Sequence, residues 1–398
     1  MIRAAGLVSL LCICSSTFAQ QKKTSYWPKK PDQVREVFEY KIVNGDTIKE
    51  GLYQIFYENG NLWQEGQFKA NQLIGKWVDN HPNGKLKQDL YFEKNLLQGE
   101  IKSYYDNGAL HQVSNYKNDY LHGSVSIYHK NGNLMENTPY FNGLPNGNAK
   151  GYYENGVLRY DTQLVMGLEN GVSVRYYENG NIQEKAIKVN GKYNGEFIGY
   201  HKEHANVVQK ICQYKSGVLH GTFKGFYPSG NLMNTYEFIN DKIVGEYKEY
   251  FDTEKDDVYT KGNYENGEKE GKWLTFYPDG KTYHTGTYLN GKRHATWTVY
   301  YPNKSIKQKG NYENGKETGE WEFYSATGVR THTGTYVAGA KEGKWLFYYD
   351  SGKLKVDLNY VSGMREGIGV AFNEEGVEVE KALYKNDVKV KDLPVGEE

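Results

Sequence analysis

The chain repeats itself every 24 residues. Phe56-Tyr57-Glu58-Asn59-Gly60 returns as Tyr104-Tyr105-Asp106-Asn107-Gly108, and again at 152–156, 176–180, 276–280 and 348–352. The glycines Gly60, Gly84, Gly108, Gly132, Gly156 and Gly180 stand 24 apart. Two later gaps, Gly180 to Gly230 and Gly230 to Gly280, are 50, so each holds one regular unit and one of 26 residues. Both two-residue insertions fall at the same turn, near 203–206 and 254–257. About fourteen units lie between Glu36 and Val390. A fixed period of this size is the signature of a repeat architecture and constrains the fold more than any other feature.

A second glycine series has the same period, including Gly51, Gly75, Gly99, Gly319 and Gly343, with Ala295 the one departure. Four residues before each, except at Gly51, stands Gly, Asn or Asp, as in Asn290-Gly291 and Asn314-Gly315. Asn-Gly supplies the positive φ angles of two-residue hairpin turns at little steric cost. Between turn signals lie runs of strand length such as Lys344-Trp345-Leu346-Phe347-Tyr348-Tyr349. The chain has 45 Gly and 37 Tyr, a density of glycine that helix interiors do not tolerate. The predicted fold is all-β: an elongated single-layer antiparallel β-meander of about fourteen 24-residue hairpin repeats.

If both turns have two residues, Glu58 opposes Asn61, Tyr57 opposes Leu62 and Tyr53 opposes Gly66. One face then collects Tyr53, Tyr57, Leu62 and Phe68, with Trp77, Trp273, Trp297, Trp321 and Trp345 at equivalent positions. The other face carries one aromatic per unit, in the row Phe56, Tyr104, Tyr128, Tyr152, Tyr176 and Tyr200, continuing to Phe372. At about 4.8 Å between strands, its members recur roughly every 10 Å. Gly319 is read as a turn position and Gly310 as one outside the repeat, so valine should cost more at Gly319.

The unit Asn311-Tyr312-Glu313-Asn314-Gly315-Lys316-Glu317-Thr318-Gly319-Glu320-Trp321, followed by the Phe-Tyr-x-x-Gly turn, resembles the MORN repeat. It is most similar to the bacterial variant with the Tyr-Tyr-x-Asn-Gly turn. The resemblance spans about residues 36 to 390 and departs from the pattern at Asn206, Glu254 and Lys304, where the turn glycine is missing. It implies a twisted single-layer antiparallel sheet and a role as scaffold or adaptor for proteins, sometimes near membranes. Many members of the variant family are catalogued as antitoxins of toxin–antitoxin pairs.

The first residues carry a positive end, an apolar run from Ala4 to Cys14 and a small-residue site before Gln20. Residues 1–19 therefore read as a secretory signal, 20–35 as a linker, 36–390 as the repeat array and 391–398 as a tail. Export would leave Cys212 as the lone cysteine, read as an inert, part-buried residue, and would place the product in the periplasm, on the cell surface or outside the cell. No stretch after residue 20 is apolar enough to span a membrane, so the mature chain has no transmembrane segment. With 49 basic and 49 acidic residues, the chain lacks the basic excess of a nucleic-acid binder.

The His residues offer no metal site: His81 and His129 share a repeat position but stand 48 residues, or two units, apart. The acidic insertion at 252–257 lacks the glycine and distal glutamate of a calcium loop. No catalytic residue, cofactor-binding residue or metal ligand is therefore nominated, and the chain is read as no enzyme. The leading expectation is an exported scaffold with an unknown protein partner at the cell envelope. Its candidate contacts are the row Phe56, Tyr104, Tyr128, Tyr152, Tyr176 and Tyr200 and the irregular turns with Glu203, Asn206, Asp252, Asp256 and Asp257. The alternatives are an envelope glycan- or lipid-binding module using the aromatic face, and an antitoxin-like partner protein.

Overall fold

The computed structural model describes residues 20–396; the expected signal at 1–19 and the last two residues of the tail lie outside them. The described residues form thirty-six strand segments and no helix. The described residues fall into two compact units, 20–180 and 181–396, each of successive arms paired antiparallel with their sequence neighbours. The all-β meander holds, with details of register that the period alone does not show.

The two ends of the hairpins differ. At one end the two-residue turn is as expected: Asn290 and Gly291 have φ of 49° and 73°, both left-handed, and Leu289 pairs with Lys292. At the other end the loop is one residue longer. Tyr57 N donates to Asn61 O (2.8 Å) and Gly60 N to Tyr57 O (2.9 Å), a type I turn closed by Gly60 at φ 87°. Tyr57 therefore pairs with Asn61, and Leu62 opposes Phe56 rather than Tyr57. A bulge between Ile55 and Phe56 then absorbs the offset, so that Tyr53 does oppose Gly66. Where the loop glycine is missing, Asn206 and Lys304 take positive φ of 63° and 73°. In the second insertion that position is Asp256 (φ 52°), not Glu254, because the two extra residues precede it.

The second glycine series marks bulges and not turns. Glu65 pairs with Val78 and Gln67 with Ile74, so Gly75, Lys76 and Trp77 all face the single residue Gly66. Gly75, at φ 66°, lets the strand bend there, and the bend lays the indole of Trp77 on Gly66. A Cβ on Gly66 would come within 2.0 Å of that ring. The same arrangement recurs at Gly262 and Trp273, Gly286 and Trp297, Gly310 and Trp321, and Gly334 and Trp345. The five indoles are only 0 to 4% exposed although a single sheet covers them, because tyrosines pack edge-on at their sides. Gly310 is therefore not outside the repeat; it is the floor beneath Trp321.

The expected linker is a hairpin. Gln21–Trp27 pairs with Lys30–Val43, turning at Pro28-Lys29, and Arg35 lies 5.4 Å over the Trp27 ring. Tyr26, Trp27, Val34 and Val37 are strand formers, and this hairpin pairs onward with Asp46–Phe56. At the other end Val388–Asp392 pairs with Glu378–Lys385, so the first two residues of the expected tail belong to the last strand.

Candidate functional site

The aromatic row expected to present itself to partners does not stand on open surface. In the first unit Phe56, Tyr104, Tyr128, Tyr152 and Tyr176 are half-buried, and in the second unit Tyr200 is buried. Neighbouring strands fill the intervals of about 10 Å, as where Lys185 reaches over the Tyr200 ring at 5.8 Å. The backbone of the row also holds a ladder. Tyr105 donates its hydroxyl to Tyr128 O (2.8 Å), Tyr153 to Tyr176 O (2.8 Å) and Tyr277 to Tyr300 O (2.8 Å), each 23 residues on. His81, His129 and His201 stand at this tyrosine position and do the same work through Nε2, to Tyr104 O, Tyr152 O and Phe226 O (3.0, 3.4 and 3.1 Å). Their recurrence is explained by a backbone acceptor.

The irregular turns are exposed at Glu203, Asn206, Asp252 and Asp256, and the carboxylates of Glu203, Asp252 and Asp257 have partners within the chain. Glu203 lies 3.7 Å from Lys202. Asp252 accepts from Ser229 Oγ and Asn231 Nδ2 (2.8 Å), and Asp257 accepts from Thr253 Oγ1 (3.1 Å) while its carbonyl receives Phe251 N (2.8 Å). These contacts close the loop. They bring the aromatic row and the acidic residues into no common cluster.

Along the tryptophan face the repeat changes character. In the first unit the Gly and Trp positions are taken by Thr138, Ala149, Thr162 and Ser173, leaving a hollow of about 190 Å³. Polar groups cross its wall: Glu169 Oε1 accepts from Thr162, Ser173 and Arg175 at 3.2 to 3.4 Å, and Thr138 Oγ1 donates to Glu136 (2.6 Å). Cys212, in the second unit, is fully buried against Phe197, and burial pushes its thiol up, which suits an inert residue.

Two histidines in the second unit share this face. His284 stacks on Trp297 (5.5 Å) and His332 on Phe323 (4.1 Å). Burial, then Arg293 and Lys269, hold His284 below the ordinary histidine range; burial and Lys341 do the same for His332. With folded values depressed, the unfolded chain binds protons first as pH falls, so stability is lost below about pH 6.5. The urea midpoint is expected to drop between about pH 7.5 and 5.5 and to drop less in His332→Gln. An equal drop in both proteins would show that His332 does not contribute.

The exposed apolar side chains gather elsewhere. Tyr120, Phe141, Leu144, Val165, Met166 and Leu168 are 42 to 62% exposed beside the two-residue turns of the first unit. Phe141 pairs with Leu144 and Val165 with Leu168. The hairpin ends abut, Gly143 N donating to Leu121 O (2.9 Å) and Gly167 N to Pro145 O (2.7 Å), so the side chains form a continuous strip. The equivalent pairs elsewhere are polar at Lys69 with Gln72, Glu265 with Glu268 and Glu313 with Lys316, mixed at Val189 with Lys192, Ile239 with Lys242 and Leu289 with Lys292, and apolar again at Val337 with Ala340 and Val361 with Met364. The sequence signal was available: apolar residues on successive repeats at positions that several other repeats fill with charge.

The family described as MORN repeat variant matches at residues 49–70, 73–94, 97–118, 121–142, 145–164, 169–187, 219–240, 269–290, 293–314 and 341–362. The chain belongs to the MORN repeat variant family. Each match contains one three-residue loop and stops at or before the next two-residue turn, so the MORN unit seen here is one hairpin with a bulge on one arm. No curated protein matches the chain. Two solved structures align with 94% of it at 10% identity and a TM-score of 0.16: the Photorhabdus luminescens Tc holotoxin pore with mutation TccC3-D651A, and TcdB2-TccC3 without its hypervariable C-terminal region. The chain spans 22% and 25% of those chains, and a likeness at this level carries no argument about this MORN array.

Proposed function

We propose that this protein is an exported, non-catalytic repeat scaffold that binds another protein at the cell envelope. The observation that carries the reading is the strip from Tyr120 to Leu168, because exposed apolar side chains on successive hairpin ends, at positions that several other repeats fill with polar residues, mark an interaction surface. The repeat architecture supports it, since stacked units present extended surfaces. Export rests on the charged end, apolar run and small-residue site in residues 1–19. No helix of the described residues is long and apolar enough to cross a membrane. The glycan- or lipid-binding alternative leans on the aromatic row, whose members are half-buried and, at Tyr200, buried, so they offer less open ring surface than the strip.

Cross-linked affinity capture with residues 20–398 from the envelope fraction of the host, read by mass spectrometry, tests this. One protein recovered in near-equal amount, and lost with Phe141→Lys and Leu168→Lys, is the expected result. Recovery of glycan or lipid without a stoichiometric protein would overturn it.

A further inference from the structure

In the second unit, four strands each place one charged residue four positions before a buried tryptophan: Lys269, Arg293, Glu317 and Lys341 on Glu268–Phe276, Lys292–Tyr300, Lys316–Tyr324 and Ala340–Tyr348. They share the tryptophan face, directly across from Tyr264, Tyr288, Tyr312 and Tyr336. The three cations lie on the rings. Lys269 Nζ is 4.1 Å from the Trp273 centroid, Arg293 Cζ 4.7 Å from Trp297 and Lys341 Nζ 4.3 Å from Trp345. Among the described residues none of the three forms an ion pair with a carboxylate, whereas the next cation of the row, Arg365, is held by Asp387 at 3.1 Å. Arg293 donates to the Tyr312 hydroxyl (3.2 Å), also lies against that of Tyr288, and stands at a hollow of about 300 Å³ walled by Trp297, Trp321 and His284. Burial pulls the Lys269 and Lys341 ammonium groups below the usual lysine range, and the more distant carboxylates of Glu249 and Asp387 offset their desolvation only in part.

We propose, building on the scaffold reading, that this row docks an extended acidic segment of the partner protein whose charges follow the order of the row. One unit is two strands, about 10 Å. A polyproline II chain advances about 9 Å in three residues and returns to the same side. Carboxylates at positions one, four and ten, with a basic residue at seven, meet Lys269, Arg293, Lys341 and Glu317 in turn. The carboxylate of the fourth residue sits at Arg293, in the hollow. Glu317 makes the choice of a polypeptide: a uniformly anionic surface would bring negative charge onto it, whereas a segment with one basic residue pairs with it.

The test uses the full array and two dye-labelled peptides of one composition. The first is Glu-Pro-Pro-Glu-Pro-Pro-Lys-Pro-Pro-Glu, and the second exchanges the Lys with the preceding Glu. Fluorescence anisotropy at low salt is expected to show the first binding about tenfold more tightly, a difference of about 1.4 kcal/mol. Arg293→Met should weaken it about tenfold, and Glu317→Lys should reverse the preference in favour of an all-glutamate peptide. Lys261→Met, on the opposite face over the Phe276 ring, should change nothing. Equal binding of the two peptides, an equal loss with Lys261→Met, or tighter binding to phosphatidylglycerol vesicles that is insensitive to Glu317→Lys would overturn the proposal. Capture of a stoichiometric partner that ignores Arg293→Met would leave the scaffold reading standing and remove this one.

Discussion

Gly310→Ala is expected to destabilise the second unit by about 3 kcal/mol, against about 1 kcal/mol for Gly319→Ala nine residues away. A Cβ on Gly310 would stand 2.1 Å from Cδ2 of Trp321, which is 3% exposed and wedged between Tyr312 and Tyr336 at 5.2 and 5.9 Å. The ring has nowhere to go. A Cβ on Gly319 meets nothing closer than 3.9 Å, and its cost is the left-handed backbone at φ 65°. The chain already accepts alanine at the equivalent position, Ala295, with φ 54°. It also shows how the larger floor is accommodated: Ala186 is followed eleven residues on by Phe197, and Cys212 by Phe223, within one buried cluster. Trp321→Phe should therefore recover a good part of the loss in the Gly310→Ala background. Urea denaturation of the two single variants and the double variant measures all of this. Equal midpoints for Gly310→Ala and Gly319→Ala would sink the assignment of Gly310 as a floor.

Trp345→Ala is the other large effect, about 3 to 5 kcal/mol. The indole is 0% exposed, donates Nε1 to Thr335 O (3.2 Å) and packs edge-on against Tyr336 (5.0 Å) and Tyr360 (6.1 Å). Because each repeat touches only its neighbours, the damage should stay local. Hydrogen exchange is expected to quicken in Arg330–Val337, Ala340–Tyr348 and Leu354–Val361 and to stay unchanged in Gln72–Asn80. Trp63→Ala is the contrast: that ring is 40% exposed and stacks only on Tyr57 (5.4 Å), so about 1 kcal/mol is expected. Uniform loss of protection over the whole chain after Trp345→Ala would contradict a core built unit by unit.

The period, the hairpin unit and the two-residue turns such as Asn290-Gly291 were readable from the residues alone, because a left-handed dipeptide is a local requirement that Asn and Gly meet without help from the rest of the fold. The meaning of the other glycines was not local. Gly75 and Gly319 looked like turns and are bulges, and Gly310 looked like filler and is a floor, since each role depends on how many residues the facing strand presents. One residue more in the Tyr57 loop moved Leu62 to face Phe56, and side chains of the intervening strands half-buried a row that spacing alone left open. The surfaces that bear on function come from the same source. The strip around Phe141 is legible once repeat positions are compared, but the cations over Trp273, Trp297 and Trp345 arise only after the bulge swings each ring beneath a residue four positions earlier. Backbone conformation is decided by a residue and its neighbours in the chain; register, burial and unpaired charge are decided across strands, where only the assembled sheet sets the distances.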